Sequence, residues 1–162
     1  MKTENIFLFN YYFIGQFIFM SVFYKLLFDK KWVYYVMFAA LVLLGIQYTL
    51  DFSVFYSYNS FGVTITQSII AIYALLYYYK SLSGNASFLY VNAGVILYFV
   101  SSILFFASGN LILKLDIPSE TMKYIGILND LLYLIFVILI FVEWYRNFRP
   151  SKSQNNNPNS LM

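Results

Sequence analysis

The segment MKYIGILNDLLYLIFVILIFVEWY, residues 122–145, decides how the whole chain is read. Between Lys123 and Glu143 it holds a single charged residue, Asp130, and Leu134 to Val142 carries no polar side chain. A helix needs about 20 apolar residues to cross the hydrocarbon core of a bilayer. Four more runs of this kind precede it, at 6–28, 32–50, 61–79 and 87–109. The fold class that follows is all-α, a polytopic transmembrane bundle of five helices occupying residues 1–149. The Asn- and Ser-rich residues 150–162 read as a disordered cytoplasmic tail.

Composition agrees. Of 162 residues, 61% are hydrophobic, 23% aromatic and 10% charged, and the mean hydropathy is +0.69. Soluble domains average about 45–50% apolar and about 25% charged, and a small domain cannot hide the excess. An ordinary cytosolic enzyme and a secreted disulfide scaffold are therefore excluded. The chain has neither Cys nor His, so thiolate and imidazole chemistry and zinc sites of the Cys/His kind are excluded too. No catalytic residue, metal or cofactor is expected, and the partner of the apolar surface is the lipid bilayer rather than nucleic acid. The first run, at about 20 residues, exceeds a secretory h-region of about 7–15 and reads as an uncleaved helix.

Lys and Arg set the expected orientation. Lys25, Lys30, Lys31, Lys80, Arg146, Arg149 and Lys152 fall on one side of a five-helix topology, and Lys2, Lys114 and Lys123 on the other. The richer side is expected in the cytoplasm, which places the N-terminus outside and the C-terminus inside a bacterial inner membrane. Trp32, Tyr34, Tyr35, Tyr77, Tyr78, Tyr79, Trp144 and Tyr145 gather at that same boundary, as headgroup-level aromatics do. Asn59 or Ser60 is the expected cap of the third helix, and Gly109-Asn110 the stop of the fourth.

Strongly polar residues collect in the half of the bundle away from the basic side. Steps of three or four residues align Thr64, Gln67, Ser68, Ala71 and Ala74 on the third helix. The same spacing aligns Gly94, Tyr98, Ser101, Ser102 and Phe105 on the fourth, and Gly126, Asn129, Asp130 and Tyr133 on the fifth. Small and polar residues favour helix–helix contacts in lipid, so the three stripes are expected to face one another. A central Asp costs about 2.5–3.5 kcal/mol to insert, which predicts that Asp130 turns inward. Its expected neighbours are Gln67, Thr64, Ser101, Tyr98 and Gln16. The functional reading of Asp130 is a proton- or cation-sensitive group, or the anchor of a ligand amine; the plain reading is a carboxyl that joins helices. Glu143 reads as a surface partner of Arg146.

The stretch NIFLFNYY (5–12), continued by Gln16-Phe17 and SVFY (21–24), resembles a helix of a group of polytopic inner-membrane proteins of Bacteroidota-type bacteria. FLYVNAG (88–94) with Tyr98 and Phe105-Phe106, and Gly126 with Asn129 and Tyr133, are similar to further segments of that group. The resemblance implies membrane placement, and this chain looks like a short form, since two helices often precede the region. Members tend to carry His and Glu where Asn10 and Gln16 stand here. No activity is attached to the group.

The functional expectation is a non-enzymatic sensory or accessory module with a polar pocket in the outer half of the bundle. Its candidate ligand-binding residues are Asp130, Asn129, Tyr133, Gln67, Thr64, Ser101 and Gln16. It would act with a membrane-protein partner or a second copy of itself. The alternative is a small transporter or channel subunit.

Overall fold

In the computed structural model, residues 6–82, 87–107 and 119–148 are described. They form α1 (Ile6–Phe28), α2 (Trp32–Leu50), a 3-10 turn (Phe52–Tyr56), α3 (Ser60–Ser81), α4 (Leu89–Ala107) and α5 (Ser119–Phe148), with no strand among the described residues. The first two helices coincide with the expected runs, α3 begins one residue early, and α5 extends beyond both expected ends. Four helices are long and apolar enough to cross a membrane, and the apolar stretch of α4, Leu89–Phe105, is shorter. The chain is thus a multi-pass membrane protein. Residues 83–86, the expected stop at Gly109-Asn110 and the expected tail at 150–162 lie outside the described residues.

Each helix is apolar nearly all round, which leaves turn chemistry and polar contacts to fix directions. Asp29 ends α1 in the left-handed region (φ 51°), and its N–H donates to the Lys25 carbonyl at 2.9 Å. Asp tolerates that conformation better than most residues, and α2 then runs back along α1. At the far end of α2, the Asp51 carboxylate accepts from the Ser53 N–H (3.0 Å) and hydroxyl (2.6 Å), starting the 3-10 turn. Asn59 caps α3 as expected: its Oδ1 accepts from the Gly62 N–H at 2.8 Å.

The centre of the bundle is α3. Its buried face carries Gly62, Ala71 and Ala74 among larger residues, and small side chains let neighbouring backbones approach. It packs against α1 and, most closely, α4; α2 flanks α1, and α5 leans on α4. Phe17, Tyr24, Tyr73, Val95, Tyr98 and Phe99 fill the shared core. The outward faces of α2 and α5 carry exposed Leu, Ile, Phe and Tyr residues, a surface suited to acyl chains.

Gly94 sets the approach of α4 and α5. A Cβ there would stand 2.9 Å from Phe136 Cδ2 and 3.2 Å from Leu139 Cδ1. Overpacking of this kind costs about 1–3 kcal/mol. Gly94→Leu is expected to lower the thermal unfolding midpoint in detergent more than Gly94→Ala does. Equal midpoints for all three proteins would contradict the close contact.

Candidate functional site

Most polar contacts between the described helices fall into four groups, three of them closed on themselves. The first ties α1, α2 and the start of α3 together. Tyr48 donates to Asn10 Oδ1 (3.1 Å) and accepts from Asn59 Nδ2 (3.1 Å), while Asn10 Nδ2 donates to the Phe55 carbonyl (2.7 Å). Gln47 and Asn59 exchange amide bonds at 3.1 and 3.2 Å. Beside them, Tyr58 stacks on Phe9 with ring centroids 5.3 Å apart, and burial pushes its phenol above the ordinary range, so it stays neutral.

The second group lies in the core. Tyr24 donates to Asn92 Oδ1 at 2.8 Å, and Asn92 Nδ2 donates to the Ala74 carbonyl at 3.0 Å, joining α1, α4 and α3. The third corrects the sequence expectation for Glu143. Rather than a surface partner of Arg146, it is buried, with 5% of its surface exposed. Its carboxylate accepts from the backbone N–H groups of Phe88 (3.1 Å), Tyr90 (2.7 Å) and Val91 (3.4 Å) and from Asn147 Nδ2 (2.8 Å). The first turn of a helix leaves N–H groups without intrahelical acceptors, and an anion there also meets the positive end of the helix dipole. Glu143 thus caps α4 from another helix. Phe88 holds φ 62° under this clamp, a conformation that costs roughly 1–2 kcal/mol for an L residue. Arg146 instead lies over the Tyr90 ring, 4.9 Å from its centroid, and donates to its hydroxyl.

The fourth group is open-faced and spans α1, α4 and α5. Gln16 Nε2 donates to the Tyr12 hydroxyl at 3.3 Å, Tyr12 and Tyr98 interact through their hydroxyls, and Tyr98 interacts with Ser102. Ser102 donates to Asn129 Oδ1 at 3.3 Å, and the Tyr98 and Tyr133 rings meet at 5.7 Å. Three expected residues, Gln16, Asn129 and Tyr133, are therefore brought together. Tyr12, one helical turn from Gln16, and Ser102 take the places the sequence reading gave to others, since Ser101 is the neighbour that does not make the bond.

The remaining expected residues go elsewhere. Thr64 bonds back to the Ser60 carbonyl at 2.7 Å, on its own helix. Gln67 is buried in α3 with its Oε1 unpartnered. Asp130 is exposed and makes no hydrogen bond among the described residues. The expectation that it turns inward fails for a geometrical reason. The half-buried and buried residues of α5 are Ile125, Asn129, Leu132, Phe136, Leu139 and Glu143, a single seam against α4, joined only by half-buried Val137. Asp130 sits about 100° around from Asn129, and α3 does not reach across to cover it. The three stripes do not meet in one hollow. A surface groove of ≈ 310 Å³ lies at the opposite end of the bundle, lined by Lys25, Asp29, Lys30, Lys31, Tyr34 and Tyr35.

Comparison with protein-family models, curated proteins and solved structures gives no match.

Two stability outcomes follow. Glu143→Ala is expected to cost about 1–3 kcal/mol for the donors it strands, with Glu143→Gln recovering part of the loss, read as thermal midpoints in detergent. Asp130→Asn, which breaks no hydrogen bond among the described residues, is expected to leave the midpoint unchanged or raise it. A marked drop for Asp130→Asn would mean that the carboxyl holds the bundle together.

Proposed function

We propose that the chain is a non-enzymatic accessory subunit of a membrane assembly, and that the polar side shared by α1, α4 and α5 is where it docks laterally. The observation that carries this reading is Asp130, a carboxyl within a candidate span that faces away from its own bundle. Ionisable residues inside a membrane almost always face a bundle interior or a partner. Beside it on the same side of α5 stand Gly126 and Tyr133, the latter 47% exposed and in ring contact with Tyr98. Around it Tyr12 and Tyr133 are exposed, while Tyr98 and Ser102 are buried behind them, a surface with polar edges that favours another helix over a small ligand. On this reading the end carrying Lys25, Lys30, Lys31, Lys80 and Arg146 faces the cytoplasm.

Transport takes second place, because Phe17, Ile70, Val95 and Phe99 fill the middle of the bundle with buried apolar side chains.

The absence of native cysteine makes single-cysteine variants unambiguous probes. In native membranes, a benzophenone attached to the cysteine through a maleimide and activated by light is expected to give discrete adducts from Gly126→Cys and Tyr133→Cys. Leu128→Cys and Ile135→Cys, on the opposite side of α5, are expected to give none above background. Equal adduct formation from all four positions would remove the docking reading.

A further inference from the structure

We infer that the partner seated on this side of α5 is a transmembrane helix of another protein carrying a Lys or Arg at the depth of Asp130. The inference rests on the docking reading above and adds the chemistry of the occupant. Asp130 lies seven residues inside the span that starts at Lys123, about 10 Å along the helix axis. At that depth a carboxylate is stabilised chiefly by an opposite charge or by donors in direct contact. The described Lys and Arg side chains of this chain do not supply it. Lys25, Lys80 and Arg146 stand at the other end of the bundle, and Lys123 stands two helical turns from Asp130 at the edge of the membrane.

A second copy of the chain does not solve the problem either. Symmetrical contact through this side would set one Asp130 against another and bring none of the described Lys or Arg side chains to that depth. Charge complementarity therefore selects a foreign helix. The local shape admits one: a Cβ built on Gly126, one turn from Asp130, meets nothing within 4 Å. A partner backbone can approach closely there while its cationic side chain extends toward the carboxylate. Asn129, its neighbour in sequence, turns to α4 instead, where its Oδ1 accepts from Ser102 at 3.3 Å.

The test uses designed transmembrane peptides with the full chain in phosphatidylcholine vesicles. Each peptide is Leu- and Ala-rich and carries Lys one third of the way in from both ends, so that either insertion direction presents one at the right depth. Controls carry Leu or Glu at the same positions. Association is read by energy transfer from labelled peptide to labelled chain. The Lys peptide is expected to associate about tenfold or more tightly than the Leu peptide, with the preference lost in Asp130→Asn and kept in Asp130→Glu. Equal association of the Lys and Leu peptides overturns the inference, as does a Lys preference that survives Asp130→Asn. Energy transfer between copies of the chain that depends on Asp130 overturns it in favour of a homodimer. If the cysteine adducts form on this side of α5 while the Lys peptide shows no preference, the cationic partner fails and the docking reading stands. If no adducts form, the docking reading itself has failed.

Discussion

A polar atom in hydrocarbon has no water to turn to, and this constraint decides which helix of the bundle sits where. Apolar burial discriminates weakly here, since a leucine gains little by leaving lipid for protein. What separates one packing from another is whether Asn10, Asn59, Asn92 and Glu143 find partners. Each of them does, and each partner comes from a different stretch of chain: Phe55 and Tyr48, Gln47, Tyr24 and Ala74, and the first turn of α4. Tyr24 and Asn92 reach one another across α3 where Ala71 and Ala74 leave room.

The class of fold was plain in the amino acids, because length and hydropathy suffice to mark a bilayer-spanning helix. The cap that depends on a single side chain, at Asn59, was also legible, as local bonding of a helix start needs no tertiary knowledge. The candidate site was legible only in part. Periodicity put Asn129 and Tyr133 on one stripe of α5, and both meet α4 there, yet it carries no information on how many neighbours a helix has. Asp130 was expected inside because three helices were expected to enclose it; α5 has one neighbour, so the residue next to the seam is left outside. Glu143 was misread for a related reason. Proximity to Arg146 in sequence suggested a local pair, whereas the acceptor-starved start of α4, invisible to helical spacing, is the stronger attraction.

Charge is distributed with a clear division of labour. Glu143 is used up in holding α4, and Asp51 in starting the 3-10 turn, so neither is left for an external partner. The tyrosines do similar work where they bridge helices, as Tyr24 and Tyr48 do. Among the described residues, the α1–α4–α5 side combines an exposed carboxyl with an exposed aromatic ring and a glycine, and that combination distinguishes it from the rest of the lipid-facing surface.

The clamp of Glu143 on the start of α4 also makes α5 a lever. Its fulcrum is the three-bond grip at one end, and thirteen residues away, about 20 Å along the axis, Asp130 rides on an arm that the seam with α4 steadies. The single Ser102–Asn129 bond is the latch near that arm. A tilt of roughly 10° about the fulcrum would swing Asp130 sideways by about 3 Å, so a force applied at the carboxyl is geared down into a small rotation at Phe88, where the backbone is already wound the wrong way.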